Sequence, residues 1–350
     1  MRPAPESVLS VAARVDARLA AVLQSEVERW VAFDADLAAP FGELQRLVLA
    51  GGKRLRPAFT YWGFVGAGGS PEAGTVIDAG AAFELMHAFA LFHDDIMDGS
   101  TARRGQPTTH EVHRQLHEDH RWAGDARRFG DGVAILVGDL AFVYADVLLA
   151  GAPRAAWDLW NELRIELNVG QYLDMLGSAH SERRREKAER ICRYKSGKYT
   201  IERPLHLGAL LAGGSTDLLA AYSAYGLPLG DAFQMRDDVL GAFGESAVTG
   251  KPVGDDLREG KPTPLMAIAV ARATAAQQQV LAQVGAALLD DAQVATVQQV
   301  IVDTGALAEL EATITRLTDE AVAAISTAPV SSQVRNALVE LAAYVVHRSL

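Results

Sequence analysis

The sequence predicts an all-α protein in which a single bundle of long, mostly antiparallel helices surrounds a central cavity. Apolar residues recur at three- and four-residue steps through most of the chain, which is the spacing of amphipathic helices. Alternating strand patterns are scarce. Glycine and proline fall between the periodic segments, and no linker divides the chain. We therefore expect residues 1–350 to form one helical domain.

The expected helices follow one another along the chain with short breaks between them. They cover residues 17–38, 76–97, 132–150, 157–176, 216–240, 264–289, 304–325 and 334–348. The charge run 181–190 is interpreted as a solvated helix face. Residues 99–131 are polar and predict a long loop with room for one helix, and residues 242–263 predict a charged loop rich in glycine and proline. Loops of this length are often functional.

Composition restricts the kind of protein that this chain can be. With 49% hydrophobic residues and a net charge of −11, it can bury a large core but has no general affinity for nucleic acid or anionic membranes. Cys192 is the only cysteine, so no intrachain disulfide is expected. The N-terminus lacks the apolar core of a signal peptide, and no run of about 18 apolar residues stands out. We expect a cytoplasmic protein without a membrane span.

The first acidic segment contains Asp94, Asp95 and Asp98. At about 3.6 residues per turn, these positions lie within an arc of roughly 100° and can point into one cavity. Carboxylates in small number suit Mg²⁺, which also binds substrate phosphates. Taken alone, the triplet is equally well interpreted as a solvated patch at a helix end.

The second acidic segment favours a metal site over a solvated patch. Asp231, Gln234, Asp237 and Asp238 are linked by three- and four-residue steps and form a polar stripe on one helix face. A structural interpretation would turn the stripe to solvent, but the rest of this helix is so apolar that little exposed surface is left for it. Two acidic stripes on apolar helices predict a metal site inside the bundle.

Basic residues accompany the acidic segments. They are Lys53, Arg54, Arg56, Arg103, Arg104, Lys195, Lys198, Lys251 and Lys261. Arginine recognises phosphate oxygens with a planar fork, whereas lysine provides a movable point charge. Any one of them is more often a surface cation. Next to metal-binding stripes they indicate a diphosphate site, since diphosphate needs both metal and cations.

Several ordered motifs in residues 47–265 resemble those of the trans-isoprenyl diphosphate synthases, the polyprenyl synthetase family. The DDxxD motif followed by RRG matches residues 94–105, and GGKRxRP matches residues 51–57. GQYLD at 170–174, YKSGKYT at 194–200, FQMRDD at 233–238 and GKPVGDDLREGK at 250–261 resemble later family segments. One departure is Gly241, which stands where the second DDxxD motif has its last aspartate.

The resemblance implies a Mg²⁺-dependent, head-to-tail condensation of isopentenyl diphosphate with allylic diphosphates. Asp94, Asp98 and Asp237 would bind the metal, three ions with substrate bound, with Asp95 and Asp238 supporting them. The leaving diphosphate would contact Arg103, Lys195, Lys251 and Lys261, and the developing carbocation would lie near Ser196 and Gln234. Isopentenyl diphosphate would bind Lys53, Arg56, His87 and Arg104. A homodimer is also implied.

Product length is expected to depend on residues upstream of Asp94. A helical turn of about 5.4 Å approximates one isoprene unit, so Ala90, Phe89 and Met86 would line successive parts of the tail channel. One aromatic with a small neighbour resembles geranylgeranyl diphosphate synthases and predicts a C20 product. Phe89 is equally well interpreted as ordinary core.

Other functions remain open at this stage. A farnesyl or other-length synthase would share every motif above. A terpene cyclase would share the helices and Mg²⁺ but would not need the second basic pocket, and its second metal motif does not look like DDVLG. A non-catalytic synthase subunit usually loses site residues that this chain keeps.

Overall fold

The computed structural model describes residues 3–103, 105–244, 253–285 and 289–346, and it confirms the all-α prediction. In these residues the strands are limited to β1 (Ala102–Arg103) and β2 (Gln106–Pro107), which pair antiparallel. The first ten helices are α1 Glu6–Phe33, α2 Ala38–Leu49, α3 Leu55–Gly66, α4 Gly74–Met97, α5 Thr109–Asp119, α6 Ala126–Leu149, α7 Arg154–Ala179, α8 Arg185–Cys192, α9 Arg203–Leu211 and α10 Thr216–Phe243.

Six further helices follow, and two irregular helices complete the described chain. The six are α11 Asp255–Glu259, α12 Pro264–Arg272, α13 Ala275–Leu281, α14 Asp291–Asp303, α15 Ala306–Thr327 and α16 Ser332–Val346. A 3₁₀ helix, Ala35–Leu37, precedes α2. A π-helix, Arg193–Glu202, joins α8 to α9.

Two hydrophobic cores hold the bundle together. The first surrounds α10, where Tyr225 and Leu229 pack with Leu310 and Ile314 of α15. The second surrounds α4, where Phe83 packs against Trp160 of α7 with a ring centroid distance of 5.2 Å. α4 and α10 are therefore buried central helices, and the segments that carry the two acidic motifs are fixed by packing on several sides.

The structure changes several sequence-based boundaries. The N-terminal helix extends over Glu6–Phe33, whereas the apolar pattern predicted 17–38. The predicted loop 99–131 contains one helix, α5, as the sequence allowed, but α6 begins at Ala126 and not at the predicted residue 132. The single helix predicted over 264–289 is divided into α12 and α13 at Thr274, whose side chain caps α13.

Two helices, α4 and α6, are long and apolar enough to cross a membrane by length and composition alone. This differs from the expectation that no such stretch exists. In α4, 67% of the apolar window is buried inside the fold, as in the core helix of a soluble protein. In α6 the buried share is 39%, and several apolar side chains of this helix face outward.

Candidate active site

The first acidic segment lies at the C-terminal end of α4. Asp94 and Asp95 belong to its last turns, and Asp98 is the C-cap residue, whose backbone N–H donates to the Asp94 carbonyl at 2.8 Å. Asp95 is buried, whereas Asp94 and Asp98 are half-buried. A helix C-terminus carries partial negative charge. The three carboxylates therefore lie in an electronegative region that favours cations.

Arg103 binds the middle carboxylate of this segment. Its Nε donates to Asp95 Oδ1 and Oδ2 at 2.9 and 3.0 Å, and its Nη2 donates to Oδ1 at 2.6 Å. Nη2 also lies 3.9 Å from Asp94 Oδ2. Burial disfavours the charged guanidinium, but Asp95 outweighs burial and raises the pKa of Arg103. The β1–β2 hairpin is thus fastened to α4, and Asp95 is directed toward Arg103.

α10 brings the second acidic segment to the same place. Asp94 and Asp238 both line a cavity of about 160 Å³, roughly five times the volume that one water occupies in the liquid. Its lining also contains Asp174, Cys192, Lys195, Ser196, Gln234, Asp256 and Lys261. The predicted convergence of the two acidic segments is therefore present in the fold.

The remaining members of the α10 stripe point in different directions. Asp231 binds Arg193 of the π-helix, with Nη2 to Oδ2 at 2.5 Å, and does not line the cavity. Asp237 is half-buried beside Asp238 but is also absent from the lining. Gln234 donates to Asp238 Oδ1 at 2.8 Å. Asp238 is thus the α10 carboxylate that lines the same cavity as Asp94.

Two lysines connect the carboxylates around the cavity. Lys195 Nζ donates to Asp174 Oδ2 at 2.6 Å and to Asp94 Oδ1 at 3.3 Å. Lys261 Nζ lies 3.5 Å from Asp98 Oδ2 and 3.4 Å from Asp256 Oδ1. Both ammonium groups are partly buried, and the carboxylates around them raise the pKa of each lysine despite burial. Both lysines are therefore charged at neutral pH.

The π-helix positions Lys195 and Ser196. π-helices are rare and are frequently found at functional sites. A Cβ at Gly197 would lie 3.0 Å from the Gly230 carbonyl carbon, so two glycines allow the π-helix to contact α10 backbone to backbone. This close approach brings Lys195 to the rim between α4, α7 and α10.

The pKa values of Asp94 and Asp238, which line the cavity, and of Asp98 beside it are shifted in different directions. Burial disfavours the charged form of Asp94, but Lys195, Lys261 and Arg103 outweigh it and lower its pKa. Burial and the nearby Asp94 charge raise the pKa of Asp98. Burial is also the main cause that raises the pKa of Asp238 to about 8, with added repulsion from Asp256 and Asp237.

The donor set fits Mg²⁺. No three His, Cys, Asp or Glu side chains form a preformed metal cage in the part of the chain that the structure describes. Mg²⁺ does not need such a cage, because it binds through one or two carboxylates together with waters and substrate phosphates. Asp238 is buried, and among the described residues its hydrogen-bond donors are neutral, Gln234 and Cys192. A divalent cation would stabilise its ionised form.

A second group of basic side chains lies around Tyr199 of the π-helix. The Arg56 guanidinium lies 4.4 Å from the centroid of the Tyr199 ring, and its Nη2 donates to Thr200 Oγ1 at 3.0 Å. Arg56 Nε is buried and has no acceptor among the described residues. The centroid of the His87 ring lies 6.4 Å from that of Tyr199, and Lys53 is half-buried. Arg56 and His87 are thus both neighbours of the Tyr199 ring.

Arg54 has a structural role within the same motif. It adopts a left-handed backbone conformation at φ +47° and is buried. Its guanidinium binds Glu84 of α4 and Asp16 of α1, the latter at 2.8 Å. Because Arg54 is neutralised within the fold, it is the cation of this motif with a structural role.

The residues predicted to limit chain length lie along α4. Phe89 and Ala90 are half-buried, and Met86 is fully buried in the second core. The Phe89 ring contacts Phe142 of α6 with a centroid distance of 4.8 Å and His93 with a distance of 4.6 Å. Phe89 therefore has a partner on α6 that sequence reasoning did not identify.

Two predicted residues, Arg104 and Lys251, lie outside the described residues. Conversely, Gln171, Asp174, Tyr199 and Asp256 contribute to the site although the sequence analysis gave them no role. Gln171 Nε2 donates to Asp94 Oδ1 at 2.9 Å. All four belong to motif segments already quoted for the resemblance, which was the signal that could have identified them.

The chain is similar to known proteins over most of its length. Residues 42–303 match the family model described as Polyprenyl synthetase. A geranylfarnesyl diphosphate synthase from Aeropyrum pernix is 34% identical over 275 residues, which cover 76% of this chain and 80% of that protein. A geranylgeranyl diphosphate synthase from Mycobacterium tuberculosis is 36% identical, over 65% of this chain and 61% of that protein.

The fold is also similar to that of solved structures. The geranylgeranyl pyrophosphate synthase from Corynebacterium glutamicum, complexed with isoprenyl diphosphate and magnesium, is 37% identical with a TM-score of 0.89. The alignment covers 96% of this chain and 99% of that one. These similarities extend over nearly the whole bundle, including both acidic helix ends.

Proposed function

This chain belongs to the polyprenyl synthetase family, and from that premise we propose that it is the synthase of a C20 product, geranylgeranyl diphosphate. It is a trans-prenyltransferase that joins isopentenyl diphosphate to allylic diphosphates. Its similar relatives include geranylgeranyl, geranylfarnesyl, nonaprenyl and farnesyl diphosphate synthases, so product length is a property of this chain's own residues.

One observation carries the proposal. Asp94 at the end of α4 and Asp238 on α10 line a single cavity, and Lys195 and Lys261 bridge neighbouring carboxylates. Carboxylates and ammonium groups at one site are what a metal-bound diphosphate needs, because the metal binds the former and the phosphate oxygens bind the latter.

The reaction begins when the allylic C–O bond breaks and its electron pair leaves with the diphosphate. Lys195 and Lys261 would turn from the carboxylates toward the phosphate oxygens and stabilise the developing negative charge. Mg²⁺, when bound by Asp238, which lines the cavity, together with Asp94, Asp98 and the neighbouring Asp237, would add Lewis-acid stabilisation of the same charge. Asp95 would act through Arg103, which it holds beside Asp94.

The second half of the reaction forms a new carbon–carbon bond. The double bond of isopentenyl diphosphate attacks the allylic cation, and loss of a proton restores a double bond. Arg56, His87 and Lys53 would hold the diphosphate that is retained, with Arg56 Nε supplying a buried donor. The released diphosphate is the proposed proton acceptor. Ser196 and Gln234 line the cavity and offer oxygen dipoles to the cation without a strong nucleophile.

Phe89 and Phe142 support a C20 limit. The two rings are in contact between α4 and α6, upstream of Asp94, where the prenyl tail would extend. Phe89 precedes Asp94 by five residues, a rise of about 7.5 Å along the helix, and the smaller Ala90 leaves space beside it. A tail that grows past this point must displace an aromatic pair.

We also propose that two copies of this chain form a homodimer. Exposed apolar side chains lie on the outer faces of α6 and α7: Leu136, Val143, Val147, Ile165, Val169 and Tyr172. An apolar patch of this kind on two adjacent helices is typical of a protein interface. We further propose three Mg²⁺ ions with substrate bound, and a cytoplasmic location.

The test is a product assay with the purified 350-residue protein. Labelled isopentenyl diphosphate is incubated with Mg²⁺ and with dimethylallyl, geranyl or farnesyl diphosphate, and the chain lengths are separated. A dominant C20 product that depends on both substrates supports the proposal. Another dominant length would reject the C20 assignment. Cyclic hydrocarbons made without isopentenyl diphosphate, or no product at all, would reject the synthase activity.

A further inference from the structure

Phe142, the α6 residue whose ring contacts Phe89, also contacts a charged side chain of α7. Arg164 Cζ lies 4.8 Å from the centroid of the Phe142 ring, which is within the range of a cation–π contact. The same carbon lies 5.7 Å from the centroid of the Trp160 ring. Phe142 therefore has an aromatic neighbour on α4 and a cationic neighbour on α7.

Hydrogen bonds from two helices hold the Arg164 guanidinium in place. Its Nη1 donates to Asp146 Oδ1 and Oδ2 of α6 at 2.8 and 2.9 Å, and its Nη2 donates to Asn161 Oδ1 of α7. The Trp160 indole N–H donates to Asp146 Oδ1 at 2.7 Å, and its ring is fully buried against Phe83. The carboxylate that binds Arg164 is therefore itself fixed by a core residue.

Arg164 differs in exposure from an ordinary surface arginine of the same helix. Its side chain is 13% exposed and that of Asp146 is 35% exposed. Arg154, which forms an ion pair with Asp158 near the start of α7, is 88% exposed and its partner 57%. Exposed pairs contribute little to a fixed geometry because water and salt screen them. Arg164 is therefore a fixed part of the fold beside Phe142.

These contacts restrict how far the Phe142 ring can move. A prenyl tail that grows past Phe89 must displace the Phe89–Phe142 ring pair. Movement of Phe142 toward α7 would displace the Arg164 guanidinium and break its hydrogen bonds to Asp146. Tail carbons that passed the rings would also lie against a charged pair and remove water from it, which is unfavourable. Both effects oppose further elongation.

From these contacts we propose that Arg164 is a specificity-determining residue, which limits product length by holding Phe142 against Phe89. It acts through Phe142 and is a positioning residue, and its charge matters as well as its volume. This inference rests on the proposed function, since it concerns the length at which prenyl elongation stops. Arg164→Met, which keeps a long side chain without the charge, should relax the limit. Arg164→Lys, which keeps a cation able to pair with Asp146, should retain it.

The experiment compares the wild-type 350-residue protein with three variants: Arg164→Met, Arg164→Lys and Arg154→Met. The last removes an arginine of the same helix that pairs with Asp158 at 2.7 Å, and it serves as the matched control. Two quantities are measured for each protein. The first is the length distribution of products from labelled isopentenyl diphosphate and farnesyl diphosphate. The second is the calorimetric Kd of the C15 and C25 prenyl diphosphates with Mg²⁺.

Arg164→Met should lengthen the dominant product by at least one isoprene unit relative to the wild type. It should also bind the C25 diphosphate about tenfold more tightly, the change expected when a partly desolvated cation–π contact no longer has to be broken. Its Kd for the C15 diphosphate should stay within about threefold of the wild type. General damage to packing would weaken both ligands together. Arg164→Lys and Arg154→Met should resemble the wild type in both measurements.

Three outcomes would overturn the inference. They are an unchanged length distribution and C25 affinity in Arg164→Met, an equal change in Arg164→Lys, and an equal change in Arg154→Met. If Arg164→Met does not fold, Asp146→Asn decides by the same criteria, because it weakens the ion pair with almost no change in volume. If the wild type forms no prenyl product, the proposed function fails, while the C15 and C25 affinities still test the role of Arg164.

Discussion

Removal of the Lys195 charge tests the site directly, because we expect it to lower the stability of the metal-free protein and to raise its affinity for Mg²⁺. We consider Lys195→Met, which keeps the length of the side chain and removes its charge. Nζ now binds Asp174 at 2.6 Å and Asp94 at 3.3 Å. Without the ammonium group, two partly buried carboxylates lose their shared cation. The metal-free protein should therefore become less stable.

The magnitude follows from these distances. At 3.3 Å and an effective dielectric constant of about 20, each unit-charge attraction is about 5 kcal/mol before desolvation is subtracted. Loss of one partner from a buried ion pair typically costs about 3–5 kcal/mol of unfolding free energy. Without the Lys195 ammonium group, the leaving diphosphate has one cation fewer to stabilise it, which should lower kcat by about 10²- to 10³-fold. Mg²⁺ without substrate should bind about tenfold more tightly, because a competing cation has gone.

Three measurements on Lys195→Met check this account: urea unfolding without metal, calorimetric Mg²⁺ titration without substrate, and steady-state kcat. Lys187→Met is the matched control, since Lys187 lies on α8 and does not line the cavity. It should leave all three quantities within a factor of two of the wild type. Weaker Mg²⁺ binding by Lys195→Met, or an unchanged kcat, would refute the view that Lys195 alternates between carboxylates and diphosphate.

Three further predictions follow from other parts of the fold. Phe89→Ala should shift products beyond C20, because it opens the aromatic contact upstream of Asp94; an unchanged length distribution would exclude Phe89 as the limit. Leu136→Asp, at a side chain 64% exposed in the single chain, should convert a dimer to a monomer in analytical ultracentrifugation without loss of helical circular dichroism; an unchanged sedimentation coefficient would place the interface elsewhere. Glu43→Gln should cost about 1–3 kcal/mol of unfolding free energy at pH 7, because hydrogen bonds from Arg46 and Thr109 outweigh burial and lower the pKa of Glu43. That stability is present above the unfolded pKa and is lost as pH falls, so the difference from the wild type in urea unfolding should shrink below about pH 4.5; a constant difference would contradict the assignment.

Much of the fold could be predicted from the sequence because helical periodicity persists over long segments. α4 and α10 were expected at 76–97 and 216–240 and are Gly74–Met97 and Thr216–Phe243. Their acidic ends stood out because carboxylates interrupt otherwise apolar faces. The ends of helices were predicted less accurately where a capping side chain begins a new helix, as Thr274 does between α12 and α13.

The rest of the site depends on tertiary contacts that no local pattern contains. Asp174 becomes part of it only because the π-helix brings Lys195 against α7, and a π-helix leaves no clear periodicity in the sequence. Asp256 could not be assigned to the cavity before α11 was seen beside α10. Arg103 was expected on the leaving group, and its pairing with Asp95 needed the hairpin geometry.

The central claim is that the acidic ends of α4 and α10 bind one magnesium diphosphate between them. A crystal structure with Mg²⁺ and a non-reactive thio analogue of an allylic diphosphate tests it most directly. The account predicts ions that bridge the diphosphate to Asp94 and Asp98 on one side and to Asp237 or Asp238 on the other, with Lys195 moved onto a phosphate oxygen. Diphosphate bound elsewhere, or ions held by only one of the two helices, would contradict it.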